Sequence, residues 1–156
     1  MKISELIGDD LIIDDLAPGG KMDVLREFAR LLEDAGKVPD KEGLARVLAA
    51  REALGSTGIG DGVAIPHGKL KGLKGLVLAF ARSKAGVDFD SLDGAPAHLF
   101  FLIVAPEDAP GEHLKALARI SRLMKNSGLR DSLMKARSVK EIRMLLSKDD
   151  EGRQGT

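Results

Sequence analysis

The chain has 156 residues, enough for one domain with its own core, and its 24 Lys and Arg residues balance 24 Asp and Glu. That balance argues against a broad electrostatic footprint for nucleic acid, and with no Trp or Tyr there is no platform of that kind for stacking sugars or bases. The absence of Cys excludes disulfides, thiolate metal sites and a cysteine nucleophile.

Aromatic content is 3%, all of it Phe, so aliphatic side chains must fill the interior. No apolar run approaches the roughly 20 residues of a bilayer span. The opening MKISELIGDD is too acidic for a signal peptide, and a cytoplasmic location is the expectation that follows.

In chain order, Ser4 can cap a short opening turn, and Leu11, Ile12 and Ile13 read as a short strand. Pro18, Gly19 and Gly20 break the chain. Met22, Leu25, Phe28, Ala29 and Leu32 then recur at helical spacing, with Gly36 placed to end that helix. Asp40 can cap a second helix whose inner face carries Leu44, Val47 and Leu48 and which runs on toward Arg51 and Leu54. A glycine-dense stretch over 55–62 leads into Val63-Ala64-Ile65-Pro66-His67. Strands are predicted over 76–81 and 99–104, the second continuously apolar as in a strand covered on both faces. Residues 86–94 between them read as loop with room for a short hairpin.

Helical spacing returns at Leu114, Leu117, Ala118, Ser121 and Met124, and continues in a shorter segment through Leu129 and Leu133. Ser138 and Glu141 form a capping-box pattern before Ile142, Leu145 and Leu146. Strands and helices interleave, so the fold class is α/β, a single domain over 1–147 with a disordered tail over 148–156.

Three histidines need separate readings. His67 lies between Pro66, which fixes its own φ and extends Ile65, and Gly68, which permits a turn; the ring is then presented and not packed. Upstream, four glycines within eight residues gather unobstructed N–H groups into a nest suited to an anion, with Ser56 and Thr57 adding hydroxyls. His113 falls in the first turn of its helix, after Pro110 and Gly111, where the helix dipole opposes protonation and free N–H groups suit an anion. From there it can hydrogen-bond either His67 or an incoming anion. His98 follows Pro96 beside the apolar strand and is given no chemical role. Positions 67, 98 and 113 lack metal-ligand spacing, so no metal is expected. The glycine loop does not end in Gly-Lys-Ser/Thr and so is not a nucleotide loop.

Read whole, Arg51-Glu52-Ala53-Leu54-Gly55-Ser56-Thr57-Gly58-Ile59-Gly60-Asp61-Gly62-Val63-Ala64-Ile65-Pro66-His67-Gly68 closely resembles the active-site signature of the fructose, mannitol and nitrogen-regulatory branch of the enzyme IIA proteins of the bacterial phosphotransferase system. The likeness extends through Phe89-Asp90-Ser91-Leu92-Asp93-Gly94, Ala105-Pro106-Glu107-Asp108 and His113-Leu114-Lys115-Ala116-Leu117-Ala118, and so over nearly the whole chain. It implies a mixed, mainly parallel sheet flanked by helices, the mannitol-type enzyme IIA fold. It also implies phosphorylation on His67, a second active-site histidine at His113 and a phosphate-binding arginine at Arg51. Ser56, Thr57, Gly58 and Gly60 are the expected phosphate loop. Glu52 either orients Arg51 or is a surface charge, and the surface is the expectation. No cofactor is implied.

The resemblance makes the donor HPr or its nitrogen-branch counterpart, and the acceptor a IIB cysteine or a regulated protein. Two functions survive: a nitrogen-branch regulator, or a sugar-specific relay. Read as a free-standing chain without a cysteine-bearing acceptor, the sequence favours the regulator.

Overall fold

The apolar run after Pro96 becomes the strand around which the sheet is assembled. In a computed structural model, which describes residues 2–154 and the side chains as far as 148, this strand is β6 (Ala97–Pro106). Every residue of β6 except His98 is buried, because neighbours cover both of its edges. On one side it pairs antiparallel with β5 (Val77–Val87), with Phe80 opposite Phe101. On the other it pairs parallel with two short strands laid end to end, β3 (Val63–Ala64) and β4 (His67–Leu70). The sheet is completed by β1 (Ile12–Ile13), parallel to β5, and by β2 (Gly58–Gly60), antiparallel to β3. The result is a mixed sheet in the order β1-β5-β6-β3-β2, with β4 also on β6.

Six helices flank it among the described residues: α1 (Ile3–Leu6), α2 (Lys21–Asp34), α3 (Lys41–Ala53), α4 (Pro110–Leu123), α5 (Ser127–Lys135) and α6 (Val139–Gln154). The end of α2 shows why the glycine signal was legible. Gly36 sits at φ +72, and the N–H groups of Gly36 and Lys37 close on the carbonyls of Glu33 and Leu32 at 3.0 and 2.9 Å, the Schellman arrangement. Asp40 caps α3 by accepting from the N–H groups of Glu42 and Gly43. Ser4, by contrast, lies inside α1 and does not cap it.

Two boundaries differ from the sequence reading. The apolar run stops at 81, before the polar residues Arg82, Ser83 and Lys84, yet β5 continues to Val87 through a register shift, and Arg82 is fully buried. Helix α6 carries the backbone past Lys148 to Gln154, where a tail over 148–156 was expected; residues 155–156 lie outside the described residues. Among the described residues, no helix is long and apolar enough to cross a membrane.

Candidate active site

Strand β3 stops at Ala64 and β4 begins at His67 because Pro66 has no N–H with which to continue the ladder along β6. The interruption leaves the Ile65 carbonyl free to turn inward, where His67 Nδ1 lies 2.8 Å from it. A carbonyl accepts only, so Nδ1 must carry the proton, and the lone pair of the neutral ring is then on Nε2.

His67 is therefore buried at the start of a strand, 9% exposed, and not presented on a turn. Gly68 likewise serves a different purpose from the one expected. It is a strand residue opposite Val104, and a Cβ on it would come within 2.7 Å of Val47 Cγ1. The missing side chain lets α3 settle directly onto β4. That close approach brings Arg51, in the last turn of α3, to His67: Arg51 Nε donates to His67 Nε2 at 3.2 Å, while Nη1 donates to the Gly55 carbonyl at 2.8 Å.

His113 reaches the same place from the first turn of α4, its ring centroid 5.0 Å from that of His67 and tilted by 46°. Its Nε2 is buried and has no hydrogen-bond partner among the described residues. Burial is the main cause that lowers both imidazoles below the usual histidine value. For His67 the hydrogen bond to Ile65 pulls upward, the charge of Arg51 lowers further, and Glu52 opposes it. For His113 the charges of His67, Lys69 and Arg51 add to the lowering. Both rings are neutral at pH 7, so His67 Nε2 is a competent nucleophile beside an arginine.

The glycine stretch is organised otherwise than as an anion nest. Ser56 Oγ donates to the Phe89 carbonyl at 2.5 Å and accepts from Gly58 N–H at 3.0 Å. Thr57 directs both its N–H and its hydroxyl to the Glu52 carboxylate. Gly58 passes so close to Ser91 that a Cβ would meet its Cα at 3.0 Å. Gly60, at φ +97, faces the Asp93 side chain, whose carboxylate accepts from Asp61 N–H at 3.0 Å. Asp61 and Gly62, both at positive φ, make the tight turn from β2 into β3. The hydroxyls of Ser56 and Thr57 and the N–H groups of Thr57 and Gly58 are thus engaged within the chain, where they hold the shape of this stretch.

Glu52 corrects a second expectation. Assigned to the surface, it is 8% exposed, because the end of α3 turns inward and Thr57 closes over it. Its Oε2 pairs with Lys21 Nζ at 3.1 Å, and the same ammonium reaches Asp90 Oδ2 at 3.1 Å and lies 5.0 Å above the Phe89 ring. Lys21 carries no motif of its own, and only the packing of α2 against the 88–94 loop brings it to Asp90. His98 lies away from this cluster, with Nδ1 2.9 Å from the Ser83 carbonyl. Among the described residues, no group of three His, Cys, Asp or Glu side chains is arranged to hold a metal ion.

Residues 5–149 match the family described as phosphoenolpyruvate-dependent sugar phosphotransferase system, EIIA 2. The chain is 40% identical to a nitrogen regulatory protein of Bradyrhizobium diazoefficiens, over 94% of this chain and 95% of that one. It is 41% identical to the fructose-specific EIIABC component of Bacillus subtilis, of which it spans 24% while 96% of this chain is covered. In three dimensions it is similar to the nitrogen regulatory protein IIA-Ntr of Neisseria meningitidis, with a TM-score of 0.86 at 39% identity, covering 92% of this chain and 98% of that one.

Proposed function

The chain belongs to the EIIA 2 family of the phosphoenolpyruvate-dependent sugar phosphotransferase system, and on that premise we propose that it is a phosphocarrier of the nitrogen-regulatory type that accepts a phosphoryl group on Nε2 of His67. The observation that carries this reading is the pair of contacts on the His67 ring: Ile65 fixes the proton on Nδ1, and Arg51 marks the lone pair on Nε2. The donor is HPr or a nitrogen-branch HPr-like protein bearing a phosphohistidine. The Nε2–P bond forms as the donor's P–N bond breaks, and that electron pair returns to the donor imidazole. The Nδ1 proton stays where it is, so the positive charge that develops on the ring is met by the Ile65 carbonyl.

Arg51 gives up its bond to Nε2 as phosphorus arrives, and its guanidinium turns to the phosphoryl oxygens, whose charge it stabilises as a planar fork. The unpartnered Nε2 of His113 is the second group placed to meet those oxygens. No step calls for a cofactor.

The regulatory reading is supported by the end-to-end likeness to a nitrogen regulatory protein. Phosphorylation adds a charge of roughly −1.5 to −2 beside the exposed Ile59, Asp61, Lys69 and Lys71, and a regulated partner reads that change. A partner that separates the two states by about 1.4 kcal/mol changes its affinity tenfold. The second reading, a sugar-specific IIA that passes the group to a IIB cysteine, is favoured by the equal identity to the fructose-specific component.

Labelling by a phosphorylated HPr-type donor is expected to give an acid-labile phosphoryl group that is lost in His67→Ala. Label that persists in this variant on His113 or His98 overturns the assignment. Growth of a deletion strain on single sugars separates the two readings: a failure on one sugar, rescued only by a phosphorylatable His67, establishes the sugar-specific one.

A further inference from the structure

We infer that Lys21 is a positioning residue for phosphoryl acceptance, acting through Glu52 to hold Arg51 and His67 in register. The inference rests on His67 as the acceptor. It starts from a chain of contacts with two arms. Lys21 Nζ bridges the carboxylates of Glu52 and Asp90, both at 3.1 Å, from the first residue of α2. Burial works against its charge, but the bonds to Asp90 and Glu52 outweigh burial and hold the ammonium above its ordinary lysine range. Glu52, fixed by that ammonium, accepts from both the N–H and the hydroxyl of Thr57.

From Thr57 one arm runs to the histidine. The Thr57 carbonyl accepts from Ile65 N–H at 3.0 Å, and the Ile65 carbonyl accepts from His67 Nδ1. The other arm runs to the arginine. The tie between Glu52 and Thr57 closes the turn that contains Gly55, whose N–H bonds the Glu52 carbonyl at 3.1 Å and whose carbonyl receives Arg51 Nη1. A single carboxylate thus sets the carbonyl that orients the nucleophile and the carbonyl that orients the clamp. Without its ammonium, a buried carboxylate is left uncompensated and must shift toward solvent or take up a proton. Either response loosens Thr57, and both arms with it. Misplacing reacting groups by about 1 Å costs up to about 10²-fold in rate.

The test compares wild type with Lys21→Met, Lys21→Arg and Glu52→Gln by two readouts. One is the rate of labelling by a phosphorylated HPr-type donor, and the other is the ¹⁵N signature of the His67 ring, which reports the share of molecules with the proton on Nδ1. Lys21→Met is expected to accept phosphoryl about 10- to 100-fold more slowly and to lose the uniform Nδ1–H signature, with Lys21→Arg restoring most of both. A role in stability alone predicts a lower melting temperature with rate and signature unchanged, and that result overturns the inference. Should Lys21→Met fail to fold, Glu52→Gln takes its place, and a wild-type rate and ring signature in that variant overturn the inference equally. Failure of wild type to be labelled strikes at the proposed function instead, because the ring signature is read without any phosphoryl transfer.

Discussion

Two arginines in this molecule meet opposite fates. Arg82, on β5, is fully buried, and each of its guanidinium nitrogens has an acceptor: Nη2 pairs with the Asp14 carboxylate at 2.6 Å, Nε with the Asp14 carbonyl, and Nη1 with the carbonyls of Leu133, Met134 and Ala136. It ties the sheet to the end of α5, where helix carbonyls have no intrahelical donors. Arg51 sits at the end of α3 with Nη1 on a turn carbonyl and Nε on a histidine lone pair. Among the described residues its Nη2 makes no hydrogen bond. The contact of Nε is one that phosphorylation would displace. The same side chain is a staple where every guanidinium nitrogen has a fixed acceptor and, under the proposed function, a clamp where one is left for an acceptor that arrives later.

Variants at the two positions should therefore separate stability from transfer. The largest effect is expected for Arg82→Met, which strands the carbonyls at the end of α5, while the half-exposed Asp14 carboxylate turns to water. With about 1–3 kcal/mol for each unsatisfied buried carbonyl, a loss of about 3–5 kcal/mol in denaturant unfolding is expected, and a loss under 1 kcal/mol would mean that water replaces the guanidinium. Next, Arg51→Lys should unfold like wild type yet accept phosphoryl about 10²-fold more slowly, because an ammonium keeps the charge but not the fork. Equal rates would reduce Arg51 to diffuse charge.

Gly68→Ala sharpens the comparison by moving only the platform of Arg51. Its Cβ meets Val47, so a cost of about 1–3 kcal/mol in stability should come with slower acceptance, and Val47→Ala in the same chain should recover both. A Gly68→Ala protein as stable as wild type would show that α3 does not rest on this strand.

The smallest effect is with pH. His67 and His113 both titrate below the ordinary value of 6.5, so the unfolded chain takes up protons first as the pH falls. Their contribution to stability is complete above about pH 6.5 and is lost as the pH drops through the folded values. The midpoint at which acceptance falls with pH should lie below 6.5. A rate already halved there would mean that the ring is solvated like a free histidine.

Sequence alone determined the alternation of helices and strands, the caps at Asp40 and Gly36, the apolar strand at the centre and the motif around His67. Each depends on residues close along the chain, where periodicity, capping chemistry and backbone restriction act locally. It also picked out Arg51 and His113, by resemblance to a family whose signature this stretch carries intact.

What it misjudged depends on approach between distant segments. The strand predicted to end at 81 runs on through Arg82 because the burial of that residue rests on acceptors from residues 14 and 133–136. Glu52 read as surface because its partner Lys21 lies 31 positions away on another helix. Ser56, Thr57 and Gly58 read as an anion nest because composition reveals donors but not the acceptors that already hold them. Gly68 read as a turn because glycine signals freedom of φ, whereas here it signals an absent methylene under Val47. The Ile65 carbonyl sets the tautomer of His67 locally, but only the packing of α3 on β4 decided that Arg51 meets the lone pair left on Nε2, since that contact joins distant segments.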